Sequence, residues 1–146
     1  MNLAYVAGIF DGEGCVNFTR TRNTIYPRVL VVNTNRPLLE GFVEQFGGDI
    51  RPLSAHKEGW KQGWEWRLSW SKAVAFLDRI HPWLRVKDAQ AETVFAWDTI
   101  RPGSGNKHKW DQPALELLKA ELTWLNHKGP SVGEEPMLTA LKEGEK

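Results

Sequence analysis

Apolar residues recur along this chain with two different periods. Residues 2–11 are mostly apolar or small and read as a helix, with its smallest side chains at Ala4, Ala7 and Gly8. From Cys15 to Arg22 the pattern alternates, with Val16 and Phe18 on one face and Asn17, Thr19 and Thr21 on the other, which predicts a half-buried strand. Asn23 and Thr24 make a turn. Tyr26 to Asn33 returns as a second strand, Val29 and Val31 inward and Tyr26, Arg28 and Leu30 on the opposite face. Asn35 or Thr34 can cap the next helix, and Pro37 suits its first turn. That helix carries Leu38, Leu39, Phe42, Val43 and Phe46, then stops at Gly47-Gly48.

A second hairpin follows, from Asp49 to Ala55 and from Trp64 to Trp70. Trp66 and Leu68 face inward, and Glu65, Arg67 and Ser69 outward. Ser71 is placed to cap a third helix through Val74, Phe76, Leu77 and Ile80, which His81-Pro82 interrupts. A further helix is expected from about Trp83 to Ile100, packing through Leu84, Ala91, Val94, Phe95 and Ala96. Beyond the loop from Arg101 to Lys109, Gln112 to Asn126 is amphipathic through Leu115, Leu118, Leu122 and Leu125. From Gly129 onward Gly, Pro and Glu dominate, and residues 129–146 are expected to be a disordered tail. The reading is one α+β domain over residues 1–128 in the order αββαββα. Its core spans about residues 1–98, with a helical addition over about 112–126.

Length and charge narrow the function classes. A chain of 146 residues can bury a substantial core. Its net charge is only +1, but residues 15–72 hold nine Lys/Arg against five Asp/Glu. Within that stretch Arg20, Arg22, Arg28 and Arg36 stand with no acid between residues 15 and 37. A basic first half suits one surface facing nucleic acid, although four arginines also fit an ordinary solvated face. Cys15 is the single cysteine, so neither a disulfide framework nor a cysteine zinc site is available. The apolar start is too short to cross a membrane and lacks a signal-peptide pattern, so an intracellular protein is expected.

The chemistry concentrates in MNLAYVAGIFDGEGCV, where an apolar helix runs into Asp11 and Glu13 interleaved with Gly12 and Gly14. An acid at a helix C-terminal end meets an unfavourable macrodipole, and an arriving divalent cation would neutralise it. The alternative is a buried helix with a glycine C-cap and two solvated acids. An EF-hand is excluded, because the twelfth loop position is Arg22 where a bidentate Glu is required. The segment Val6 to Gly14, VAGIFDGEG, resembles the signature of the LAGLIDADG homing endonucleases, with Asp11 and Glu13 on the two acidic positions. Pro82 to Lys87, PWLRVK, resembles that family's second landmark, a Pro-aromatic-Leu run ending in an active-site lysine.

The resemblance covers roughly residues 1–98 and implies a half-domain in which a curved four-stranded antiparallel sheet lies on helices and meets DNA. It implies that Glu13 binds Mg²⁺ or Mn²⁺ together with the carbonyl of Gly12, Glu standing where Asp is usual. Asp11 then braces the helix end. Lys87 is implied to lie near the scissile phosphate, Asn33 to order active-site water, and Arg36 to add positive charge. Asn17, Thr19, Thr21, Thr24, Tyr26, Arg28, Arg51, Glu65, Arg67 and Ser69 are the implied base-reading residues in the major groove.

With one motif and no internal repeat, the resemblance implies a homodimer. Its contact would run through Ala4, Ala7, Gly8 and Asp11, and it would cut both strands of a long, roughly palindromic DNA site in intron homing. Two other functions fit the same fold, an RNA-binding intron maturase and a non-cleaving DNA-binding module. Retention of Glu13 and Lys87 favours cleavage over pure binding.

Overall fold

A computed structural model describes residues 1–54, 58–103 and 109–127. Helix α1 spans Leu3–Glu13 and starts on Asn2, whose side chain accepts the amides of Ala4 at 2.7 Å and Tyr5 at 3.2 Å. The helix runs two residues further than its apolar pattern predicts, and Gly14 begins strand β1 (Gly14–Arg20) with no loop between. Phe10 lies so close to Gly14 that a Cβ there would strike its ring and carbonyl, which is why the helix-to-strand switch falls on a glycine.

Strand β1 pairs antiparallel with β2 (Ile25–Asn33), and β3 (Asp49–Pro52) with β4 (Trp64–Ser69). β2 also pairs with β4, giving one sheet of order β1-β2-β4-β3. Alternation sorts its faces as the sequence predicts: Val16, Val29, Val31, Trp66 and Leu68 are buried, with Glu65, Arg67 and Arg28 on the other side. Against the buried face pack α1, α2 (Arg36–Phe46) and α3 (Ser71–Ile80), through Val6, Phe10, Leu39, Phe42, Phe76 and Leu77. Asn35 caps α2 by accepting the Leu38 amide at 3.1 Å. Gly47 and Gly48 follow at φ 84° and 90°, and a Cβ on Gly48 would strike the Arg67 carbonyl.

Two expectations are corrected. Ser71 does not cap α3; the position before the helix is Trp70, at φ 57°, with no side-chain cap. Trp70 is held there by tertiary contacts, its ring stacked on Tyr26 at 4.5 Å and its amide donating to the Pro27 carbonyl at 3.0 Å. The helix expected from Trp83 is also shorter. His81–Trp83 is a single 3₁₀ turn, and α4 (Asp88–Thr99) begins five residues past Trp83. Its buried residues include Trp97, whose indole donates to the Ile25 carbonyl at 2.8 Å, whereas Ala96 is exposed.

Helix α5 (Gln112–His127) packs on the outer edge of the sheet through Leu115, Leu122 and Leu125. Asn126 donates to the Val16 carbonyl at 2.7 Å and Gln112 to that of Asn23 at 2.8 Å, so α5 covers free backbone beside β1. Strand β3 ends at Pro52, short of the Ala55 expected, and Ala55 itself and the tail expected over 129–146 lie outside the described residues.

Candidate active site and nucleic-acid interface

The last turn of α1 carries both motif acids, in different environments. The Asp11 carboxylate accepts three successive backbone amides, from Arg85 at 2.8 Å, Val86 at 3.1 Å and Lys87 at 3.0 Å. These amides lie just ahead of α4, whose N-terminus has no cap from its own side chains, so Asp11 supplies the anion that end favours. The Lys87 ammonium donates in turn to the Asp11 carbonyl at 2.6 Å, one of the carbonyls left without a partner at the end of α1. Lys87 thus stands before α4 rather than on it, half-buried against the motif helix.

Glu13 is exposed and makes no hydrogen bond or ion pair among the described residues. It borders an open groove of about 440 Å³ together with Asn33, Thr34, Leu53, Trp60 and Lys61. The Asn33 side-chain oxygen accepts the Asn35 amide at 2.8 Å, which leaves its Nδ2 as a donor at this groove. Arg36 lies elsewhere. Its guanidinium sits over the Trp64 ring at 4.3 Å and pairs with Glu40 at 3.0 Å.

The strand register brings the other polar residues onto one face. Asn17 is opposite Arg28, Thr19 opposite Tyr26, Arg28 opposite Ser69, and Arg51 opposite Glu65. Arg67 pairs with Glu65 at 2.6 Å, and the Arg28 guanidinium donates to the Tyr26 hydroxyl at 2.9 Å. Among the described residues the buried Nε atoms of Arg28 and Arg67 have no partner. Arg28, Arg51, Arg67, Ser69 and Lys72 border one hollow of about 290 Å³, in which Asp49 is the one acid. Four cations around one hollow on the open sheet face make a surface suited to a polyanion.

Two of the base-reading assignments, Thr21 and Thr24, lie in the turn between β1 and β2. Thr24 is buried, and its hydroxyl donates to the Ile25 carbonyl at 3.0 Å; Thr21 binds Thr24 within the same turn. Ala7 is fully buried in the core of its own chain, because it lies on the side of α1 that packs on the sheet. The exposed side of the helix presents Ala4, Tyr5, Gly8 and Gly12 instead. Lys61 and Lys72 escaped sequence reasoning. One sits in a polar connection and the other on a helix start, and no local pattern marks either.

Neither a protein-family model nor a curated protein sequence matches the chain. Solved structures do. I-CvuI, a homing endonuclease seen in complex with its target in the presence of calcium, superposes with a TM-score of 0.63 at 19% identity, over 97% of this chain and 90% of its own. I-TnaI, also a homing endonuclease, matches over 100% of this chain and 99% of its own, with a TM-score of 0.55 and 19% identity. The LAGLIDADG meganuclease I-AabMI, bound to uncleaved DNA, gives 0.60 at 21% identity over 86% of this chain and 50% of its own.

The fold is that of the LAGLIDADG homing endonucleases. Helix α1 carries the segment that resembles that family's signature, and its exposed small-residue side and its acidic end are contiguous. Among the described residues no helix is long and apolar enough to cross a membrane.

Proposed function

We propose that this chain is a site-specific LAGLIDADG homing endonuclease that acts as a homodimer on double-stranded DNA. The observation that carries the reading is Glu13: an unpartnered carboxylate at the end of the motif helix, in an open groove that adjoins a polar, arginine-bearing sheet. A carboxylate left without a partner beside a polyanion-binding face stabilises nothing by itself, and a hard cation accounts for it. Similar folds are solved on DNA in the presence of calcium or magnesium.

Glu13 and the Gly12 carbonyl would hold Mg²⁺ or Mn²⁺. Among the described residues no group of three or more His, Cys, Asp and Glu could hold a metal. Such an ion prefers six or more oxygens, so DNA phosphate, water and a second copy of the chain would complete the set. When bound, the cation supplies Lewis-acid stabilisation of charge on the reacting phosphate. The protein's own part is positional. Asp11 fixes the segment that carries Lys87, Lys87 adds positive charge at the end of α1, and the Asn33 amide donates to water or a phosphate oxygen in the groove. Ala4 and Gly8 allow two motif helices to approach closely, which brings two Glu13 residues to the two strands.

The test is cleavage of the uninterrupted version of the locus that carries this gene, with Mg²⁺ or Mn²⁺. A staggered cut of both strands is expected. Binding to that site without cleavage in any divalent cation would favour a DNA-binding module, and preference for the gene's own intron RNA would favour a maturase.

A further inference from the structure

Among the described residues that border the Glu13 groove, Lys61 alone carries a positive charge. Neither of the cations that sequence resemblance assigns to this region borders the groove. The Lys87 ammonium is 2.6 Å from the Asp11 carbonyl, and Arg36 is divided between Trp64 and Glu40. A phosphodiester entering the groove therefore meets the Glu13 carboxylate first, and like charges at short range in a partly dry site oppose its approach. Lys61 is the groove's own counterweight.

The base of the β3–β4 connection is fixed where Lys61 leaves it. Leu53 donates its amide to the Gly63 carbonyl at 3.0 Å. The Gln62 side-chain amide donates to the same Gly63 carbonyl at 2.7 Å and to that of Leu53 at 3.0 Å. Gly63 is packed against Leu53, and a Cβ there would lie 2.9 Å from the Leu53 Cδ1. Lys61 immediately precedes this clasp, so its backbone is held at the groove while its side chain remains exposed.

We propose that Lys61 is a phosphate-binding residue of the Glu13 site, its ammonium taking a non-bridging oxygen of the DNA strand that crosses the groove and holding that diester beside Glu13. This inference rests on the endonuclease reading above. Lysine presents a point charge on a flexible stem, so the contact positions the backbone and carries no sequence preference.

The experiment compares the full-length wild type with Lys61→Gln and Lys61→Arg, binding a mixed-sequence DNA duplex in calcium across a salt series. Lys61→Gln should weaken binding on every sequence alike. It should also lower the slope of log affinity against log salt by about 1 per chain. Lys61→Arg should restore the slope. Thermal melting should be the same for all three, since the side chain is exposed. An unchanged slope and affinity in Lys61→Gln, with a wild type that binds, overturns the Lys61 assignment alone. A loss confined to certain sequences also overturns it, in favour of a base contact. A wild type that fails to bind duplex DNA overturns the endonuclease reading as well.

Discussion

Asp11 and Lys87, 76 residues apart, are joined twice: the Lys87 amide donates to the Asp11 carboxylate at 3.0 Å, and its ammonium donates to the Asp11 carbonyl at 2.6 Å. One acid of the motif thereby fixes the second landmark of the sequence. The division of labour between the two acids follows from position. Asp11 faces the amides of residues 85–87 and is satisfied, whereas Glu13, at the last helical position, is left to the groove.

Asp11→Ala should therefore act on structure before chemistry. Three amides lose their partner while the backbone carbonyl that holds the Lys87 ammonium remains, and the amides lie near enough to water to be resolvated in part. A destabilisation of about 1–3 kcal/mol is expected from loss of hydrogen bonds to a charged group. Denaturant unfolding measures it, and amide exchange should accelerate at Arg85, Val86 and Lys87. Exchange unchanged at those three residues would contradict the bracing role.

The same contact explains where sequence reading stopped short. Both hairpins, the Asn35 cap and the glycine stop after Phe46 are local: alternation, a short polar side chain and positive φ each act within a few residues. The start of α4 is not local. Nothing in Trp83 to Lys87 forbids a helix, but Asp11 captures the amides of residues 85–87 from across the molecule and holds them out of one. Trp70 displaces Ser71 as the residue before α3 for a similar reason, because stacking on Tyr26 outweighs the strain of a positive φ. For the site, the motif marked Glu13 and Lys87 by resemblance. Thr24 and Ala7 are buried although the sequence pattern places them on a surface, because alternation and helical spacing name a face without saying what covers it.

Gly8→Leu separates association from folding. A Cβ at Gly8 meets nothing within 4 Å in the single chain, so the monomer should accept the side chain. Replacing a helical glycine should even stabilise the isolated helix by about 0.5–1 kcal/mol. If two motif helices pack through this side, the substitution should yield a folded monomer in analytical ultracentrifugation with unaltered circular dichroism. A variant that dimerises like wild type would place the contact elsewhere.

Arg28→Ala probes the sheet face. Its guanidinium is oriented by the Tyr26 hydroxyl, and its buried Nε has no partner among the described residues. If Arg28 reads a base edge, its loss should relax preference at one symmetric pair of positions by about 1–3 kcal/mol. Binding to a randomised target library measures this, and an equal loss on all sequences would assign Arg28 to the phosphate backbone.

Glu13→Gln addresses the cleavage chemistry most directly. The substitution keeps the size of the side chain and removes the charge that a hard cation requires. Glu13 is exposed and holds no partner among the described residues, so the fold should not respond, and the melting temperature should match wild type. DNA binding draws on the sheet and its arginines; affinity measured in calcium should persist or rise, because a negative charge near phosphate is gone. Cleavage in Mg²⁺ or Mn²⁺ should fall by orders of magnitude, since the cation contributes several kcal/mol and about 1.4 kcal/mol corresponds to tenfold in rate. Single-turnover kinetics on a mapped site, alongside binding and melting, separates these effects. Intact fold and binding with lost cleavage places the metal at Glu13. Cleavage at the wild-type rate would remove Glu13 from the chemistry and leave its exposure in the groove without a catalytic explanation.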